Sequence, residues 1–104
     1  MADFNIKQND TGPSLQGTFT PLTVLTGATV VFSMKNSAGV VKVSRKSCTI
    51  VDALLGVVKY DWLAADTDTA DLFEGVFEAT LSDGSIVTHP NADNLKIRIF
   101  DDIA

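Results

Sequence analysis

The chain has 104 residues, a formal net charge of −5, and 45% hydrophobic and 20% charged residues. This length fits one domain, 1–104, and burying roughly two-thirds of the unfolded surface gives a core without covalent staples, which excludes wholesale disorder. No basic run exceeds Arg45-Lys46, which excludes an electrostatic footprint for nucleic acid or an anionic membrane.

The elements follow a period of two. "FNIK" sets Phe4 and Ile6 against polar neighbours, and "NDTGP" (Asn9–Pro13) is a loop. In "ATVVFSMK", Ala28, Val30, Phe32 and Met34 share one face and Thr29, Val31, Ser33 and Lys35 the other. "NSAG" (Asn36–Gly39) is a four-residue hairpin loop. "SCTIVD" gives Cys48 the parity of Ile50, and "VVKYDW" puts Val58, Tyr60 and Trp62 inward. Within Ala64–Phe73 there is room for about one to two helical turns, capped by Asp66 or Thr67, as a crossover between sheets. "VFEATLS" alternates Phe77, Ala79 and Leu81 with polar residues. "SDGS" places Asp83-Gly84 where a type I′ hairpin turn fits. "HPNADN" (His89–Asn94) is a loop, "LKIRIF" turns Leu95, Ile97 and Ile99 inward, and "DDIA" ends in a frayed tail, 102–104. One-sided strands with frequent turns predict an all-β fold: a single antiparallel, immunoglobulin-like β-sandwich of seven to nine short strands with one short helical crossover.

A single cysteine excludes an intrachain disulfide. No apolar run approaches the ~20 residues of a membrane-spanning helix, and "MADFNIKQND" does not read as a signal peptide. Synthesis and folding in a cytoplasm is therefore the expectation, and the Asn9–Thr11 sequon carries no weight without a secretion signal.

The densest chemistry is "AADTDTADLFEGVFEA", where Asp66, Asp68, Asp71, Glu74 and Glu78 supply five of thirteen acidic residues. An EF-hand loop started at Asp66 fits at Asp68 but fails at Ala70, Asp71 and Phe77, where the scheme needs an oxygen, a glycine and a glutamate. A less regular Ca²⁺ cage is an open alternative to a solvated turn that complements the helix dipole. Cys48 and His89 would make a nucleophile pair only if adjacent. Cys48 reads instead as a small buried hydrophobe, and His89 as a surface loop residue before Pro90. Four zinc ligands cannot be found, and none of the seven glycines forms a phosphate loop before a helix. Tyr60 and Trp62 alternate onto the core face rather than forming a sugar platform. No catalytic, cofactor-binding or metal residue is assigned, and a non-enzymatic protein is expected.

Motif order adds a function. The opening carries Ile6, Lys7, Asp10, Thr11 and Pro13. Leu25, Gly27 and Ala28 follow, then Gly56, Val58, Tyr60 and Trp62. An Asp-Thr turn comes next (Asp66-Thr67 or Asp68-Thr69), then Gly75 with the aromatic Phe77, and a strand end at Thr88 and Pro90. This arrangement, over nearly the whole chain, resembles the N-terminal domain family of phage baseplate upper proteins. Two departures stand out: the acidic turn is long, and Phe77 replaces a Tyr whose hydroxyl would tie the turn to the next strand. Larger family members continue into stalk and receptor-binding regions, so a chain ending at Ala104 reads as the attachment module alone.

The resemblance implies a virion structural protein of the tail or baseplate, made in the host cytoplasm, docking onto other virion proteins in repeated copies around a symmetry axis. It implies no nucleic acid, membrane, small-molecule substrate or cofactor. A neck or capsid accessory protein of the same fold is the neighbouring alternative, followed by a carbohydrate- or Ca²⁺-dependent adhesion module and, last, a small hydrolase. Exposed edges at "ADFNIKQ" or "LKIRIF" would suit strand addition by a partner, and Val31, Val57 and Phe100 are candidates for an apolar patch.

Overall fold

Alternating burial sorts the chain into nine strands among the described residues, 4–19, 23–90 and 94–101 of a computed structural model. They are β1 (Phe4–Lys7), β2 (Leu15–Thr18), β3 (Thr29–Asn36), β4 (Val41–Ser47), β5 (Thr49–Asp52), β6 (Val57–Tyr60), β7 (Asp71–Thr80), β8 (Ile86–His89) and β9 (Leu95–Phe100). One sheet has the order β1-β9-β7-β3-β4, with β8 also paired to β7; the other is β2-β6-β5. The two sheets pack their apolar faces together, so the β-sandwich expectation holds.

One pairing departs from the antiparallel expectation. β1 runs parallel to β9, from Phe4↔Ile97 to Lys7↔Phe100. This places β9 between β1 and β7, so "LKIRIF" is an interior strand and not the edge expected of it. The edge role falls to β1, while residues 2–3 of "ADFNIKQ" and the tail 102–104 lie outside the described residues.

β7 is the long strand of the fold, and β8 and β9 share one side of it. The register passes from Phe77↔His89 to Gly75↔Leu95, so Val76 has no partner on that side among the described residues. The chain changes sheets at Cys48, between the end of β4 and the start of β5, where its N–H donates to Val30 O at 2.9 Å.

Phe32 centres the core. It is fully buried, with ring centroids 4.9 Å from Tyr60, 5.2 Å from Phe77 and 5.8 Å from Trp62. Offset and edge-on aromatic pairs of this kind add to the area they bury. Gly75 makes room for it: a Cβ there would lie 2.8 Å from the Phe32 ring and 2.9 Å from Ile97 Cδ1. The inward residues read from alternation are all on the core side, with Phe4, Ala28, Cys48, Ile50, Leu81 and Leu95 at its margin.

The β3–β4 and β7–β8 hairpin turns use one design. In 36–40, Gly39 N–H donates to Asn36 O and Asn36 N–H to Val40 O; in 81–85, Gly84 N–H donates to Leu81 O and Leu81 N–H to Ser85 O. Gly39 and Gly84 have φ of +85° and +90°, whereas Asp83 does not have a positive φ. The type I′ expectation at Asp83-Gly84 is therefore corrected to a turn with one left-handed glycine, the geometry of a type I turn closed by a G1 bulge.

Candidate functional site

The acidic stretch begins where β6 leaves the core. Tyr60 and Trp62 end the inward alternation, and only one 3₁₀ turn follows, Ala64–Asp66. The strand β7 starts at Asp71, so the expected one to two helical turns shrink to this single turn. Asp66 is not its N-cap. It occupies the third helical position and reaches back, its Oδ2 accepting from Leu63 N–H at 2.9 Å, which is one half of a capping box.

Nor is Asp66 solvated, as an acidic turn was expected to be. It is 2% exposed. The Tyr60 hydroxyl donates to Oδ2 at 2.5 Å, and Lys46 Nζ stands 3.5 Å from Oδ1. A buried carboxylate persists when its lone pairs are filled by donors in this way. Burial and the donation to Asp66 hold the Tyr60 phenol above its ordinary range. Tyr60 thereby ties the end of β6 to the acidic turn.

Thr67 completes a clasp on the opening loop. It is fully buried, its Oγ1 donates to Asp10 O at 2.9 Å, and Asn9 N–H donates to Thr67 O at 2.9 Å. Gln8 Nε2 donates to Asp68 O at 2.6 Å. Thr67 and Asp68 thus join the acidic turn to residues 8–10, while Asp66 is engaged by Tyr60, Leu63 and Lys46.

The other acids of the stretch diverge. Asp68 pairs with Lys42, Asp71 accepts from its neighbour Leu72 N–H at 2.7 Å, Glu74 sits 3.4 Å from Lys96, and Glu78 sits 2.6 Å from Arg45. Among the described residues no three ligand-type side chains converge. The lysine and the Thr69 hydroxyl beside Asp68 hold its carboxyl below the usual range.

Cys48 and His89 are held by different elements. Cys48 is half-buried at the sheet-switching corner, and burial first, with the Asp61 charge second, pushes its thiol up to about 12. That is the reverse of an activated nucleophile. His89 ends β8, at the strand end expected of it before Pro90, and its ring lies tilted with its centroid 5.5 Å from that of Phe19. Its Nδ1 is buried without a hydrogen-bond partner, and burial lowers its basicity. Trp62 is 3% exposed and packs on Phe4 and Phe32, so it offers no stacking platform.

Sequence reasoning missed Asp66 as a buried group. The signal that points to it is Tyr60: an inward tyrosine needs a partner for its hydroxyl, and Asp66 is the carboxylate brought round by the turn. No family model matches the chain, and no curated protein matches it.

Proposed function

We propose that the protein is a non-enzymatic structural module of a bacteriophage virion, which docks onto tail or baseplate proteins in repeated copies and is made in the host cytoplasm. The observation that carries this reading is the use to which its motif residues are put. Asp66, Thr67, Tyr60 and the Asp10 carbonyl are consumed in joining the opening loop, β6 and the acidic turn. Residues spent on shape rather than on a solvent-facing site suit a protein whose work is assembly. The order of those motifs along the chain is the second support.

We further infer an immunoglobulin-like topology. Its support is strand order: β9-β7-β3-β4 over β2-β6-β5 corresponds to strands G-F-C-C′ over B-E-D of that architecture. Phe100, outward at the end of β9 and 43% exposed, with the Arg98 guanidinium 5.1 Å above its ring, is one candidate contact for a partner. Val31 and Val57 are half-buried and contribute less.

The test is quantitative mass spectrometry of purified particles of the virus that encodes the chain. The expected result is a fixed copy number per particle that is a multiple of the symmetry at its position. Particles without the chain overturn the proposal.

A further inference from the structure

One end of the sandwich is built as a rigid apolar knob. Leu25 N–H donates to Ala53 O at 2.8 Å and Phe19 N–H to Gly56 O at 2.9 Å, which joins the approach to β3 to the β5–β6 turn. Asp52 Oδ1 accepts from both Leu54 N–H and Leu55 N–H, at 3.1 and 3.2 Å. Gly56 has φ +70°, and a Cβ there would lie 2.7 Å from Thr23 O. This braced turn holds Leu54 and Leu55 in water at 68% and 56% exposure, with Val24 beside them. Leucines fixed outward on a braced turn have already lost the freedom that binding would otherwise remove.

Elsewhere the molecule carries a matching hollow. On the outer face of the larger sheet, beside Val76, which has no β8 or β9 partner among the described residues, there is a mostly apolar cavity of about 130 Å³. Val41, Val76, Ser33 and the stems of Lys35 and Glu74 line it. Its volume is slightly under that of a cavity able to hold benzene, roughly 150 Å³, so one leucine side chain is of the right size.

The charges match as well. The three turns at the knob end, residues 23–28, 52–57 and 81–86, hold Asp52 and Asp83 and no Lys or Arg. At the hollow, Glu74 is engaged by Lys96 and Asn94, while no carboxylate of the described residues pairs with Lys35. Among the described residues the rim, with Lys35, Lys96 and Glu74, is therefore net cationic, and the turns of the knob end are anionic.

The geometry points to head-to-tail self-association: the Leu54-Leu55 turn of one copy seats in the Val41–Val76 hollow of the next. The knob and the hollow are different surfaces, so the contact is heterologous and repeats into a ring or a filament. The inference stands on this chain's surfaces alone and holds whether or not the protein belongs to a virion.

Sedimentation equilibrium of the purified full chain tests it. The weight-average mass of the wild type is expected to rise above the 11.1 kDa of one chain as concentration increases. The knob variant Leu54→Glu/Leu55→Ser and the hollow variant Val76→Glu should each stay at one chain while keeping a cooperative melt. Mixed in equal amounts, they should stop at two chains, because one intact knob meets one intact hollow. If Val76→Glu fails to fold, Val41→Glu, at an exposed rim position, takes its place. A wild type that stays at one chain to millimolar concentration overturns the inference. So does association that survives in the knob variant, or a mixture that remains monomeric.

Discussion

Asp66 is where a single side chain matters most. Tyr60→Phe removes a hydrogen bond to a buried carboxylate, and such bonds contribute about 1.5–3 kcal/mol. Asp66→Ala should cost more, since it leaves both the Tyr60 hydroxyl and the Leu63 N–H unpaired; about 2–5 kcal/mol is expected. Urea titration of the two single variants and the double should show a positive coupling energy, and additive losses would deny the contact. His89 gives a pH dependence. Burial lowers its folded pKa below its ordinary 6.5. The unfolded chain then binds the proton first, so stability is complete above about pH 6.5 and declines as pH falls below it. Subtracting the urea midpoints of His89→Phe from those of the wild type across pH 4–8 should isolate this slope, and a flat difference would refute it. At Cys48, the rise from an ordinary 9.0 to about 12 leaves about a thousandfold less thiolate at neutral pH. Iodoacetamide should therefore label the folded protein far more slowly than the chain in urea; equal rates would contradict the buried corner. The clasp was only partly legible in the sequence. Alternation put Tyr60 inside, but Asp66 looked like one more exposed acid because carboxylates are rarely buried without donors. Its donors come from Lys46, Tyr60 and Leu63, which only the fold gathers.

At the scale of elements, the strands were legible because one wet face and one dry face leave a period of two. Phe32, Tyr60, Phe77 and Ile97 all lie on the side that alternation assigns them. Turn type was less legible. Asp-Gly suits a two-residue loop, yet the register Thr80↔Ile86 leaves five residues between the strands, so Gly84 alone takes the left-handed angle. The β7–β3 contact carries its own prediction. Gly75→Ala must push a Cβ against the Phe32 ring and Ile97, and overpacking of this kind costs about 1–3 kcal/mol. Gly12→Ala, whose Cβ would meet nothing within 4 Å, is the matched control. Thermal melts should separate the two by about 4–8 °C per kcal/mol; coincident melts would show that the ring has somewhere else to go.

For the whole molecule, no local pattern announces that β1 lies parallel to β9, because that pairing joins segments about ninety residues apart in a chain of this length. Sheet order is a global property, set by which faces bury one another. The assembly proposal belongs at this scale too, and so does the knob-and-hollow contact, since each depends on surfaces from distant segments brought to one end or one face. The β1–β9 ladder has one more consequence, a mechanical one. The two strands run side by side in the same direction, so the chain enters at the upper end of β1 and leaves at the lower end of β9. Tension applied between the two ends would slide one strand along the other. The evenly spaced bonds of the parallel pair would share that load and have to fail together, whereas a hairpin pulled at its open end would unzip one bond at a time. The fold thus closes on itself with a shear clamp, placed where a chain tethered at both ends would be pulled.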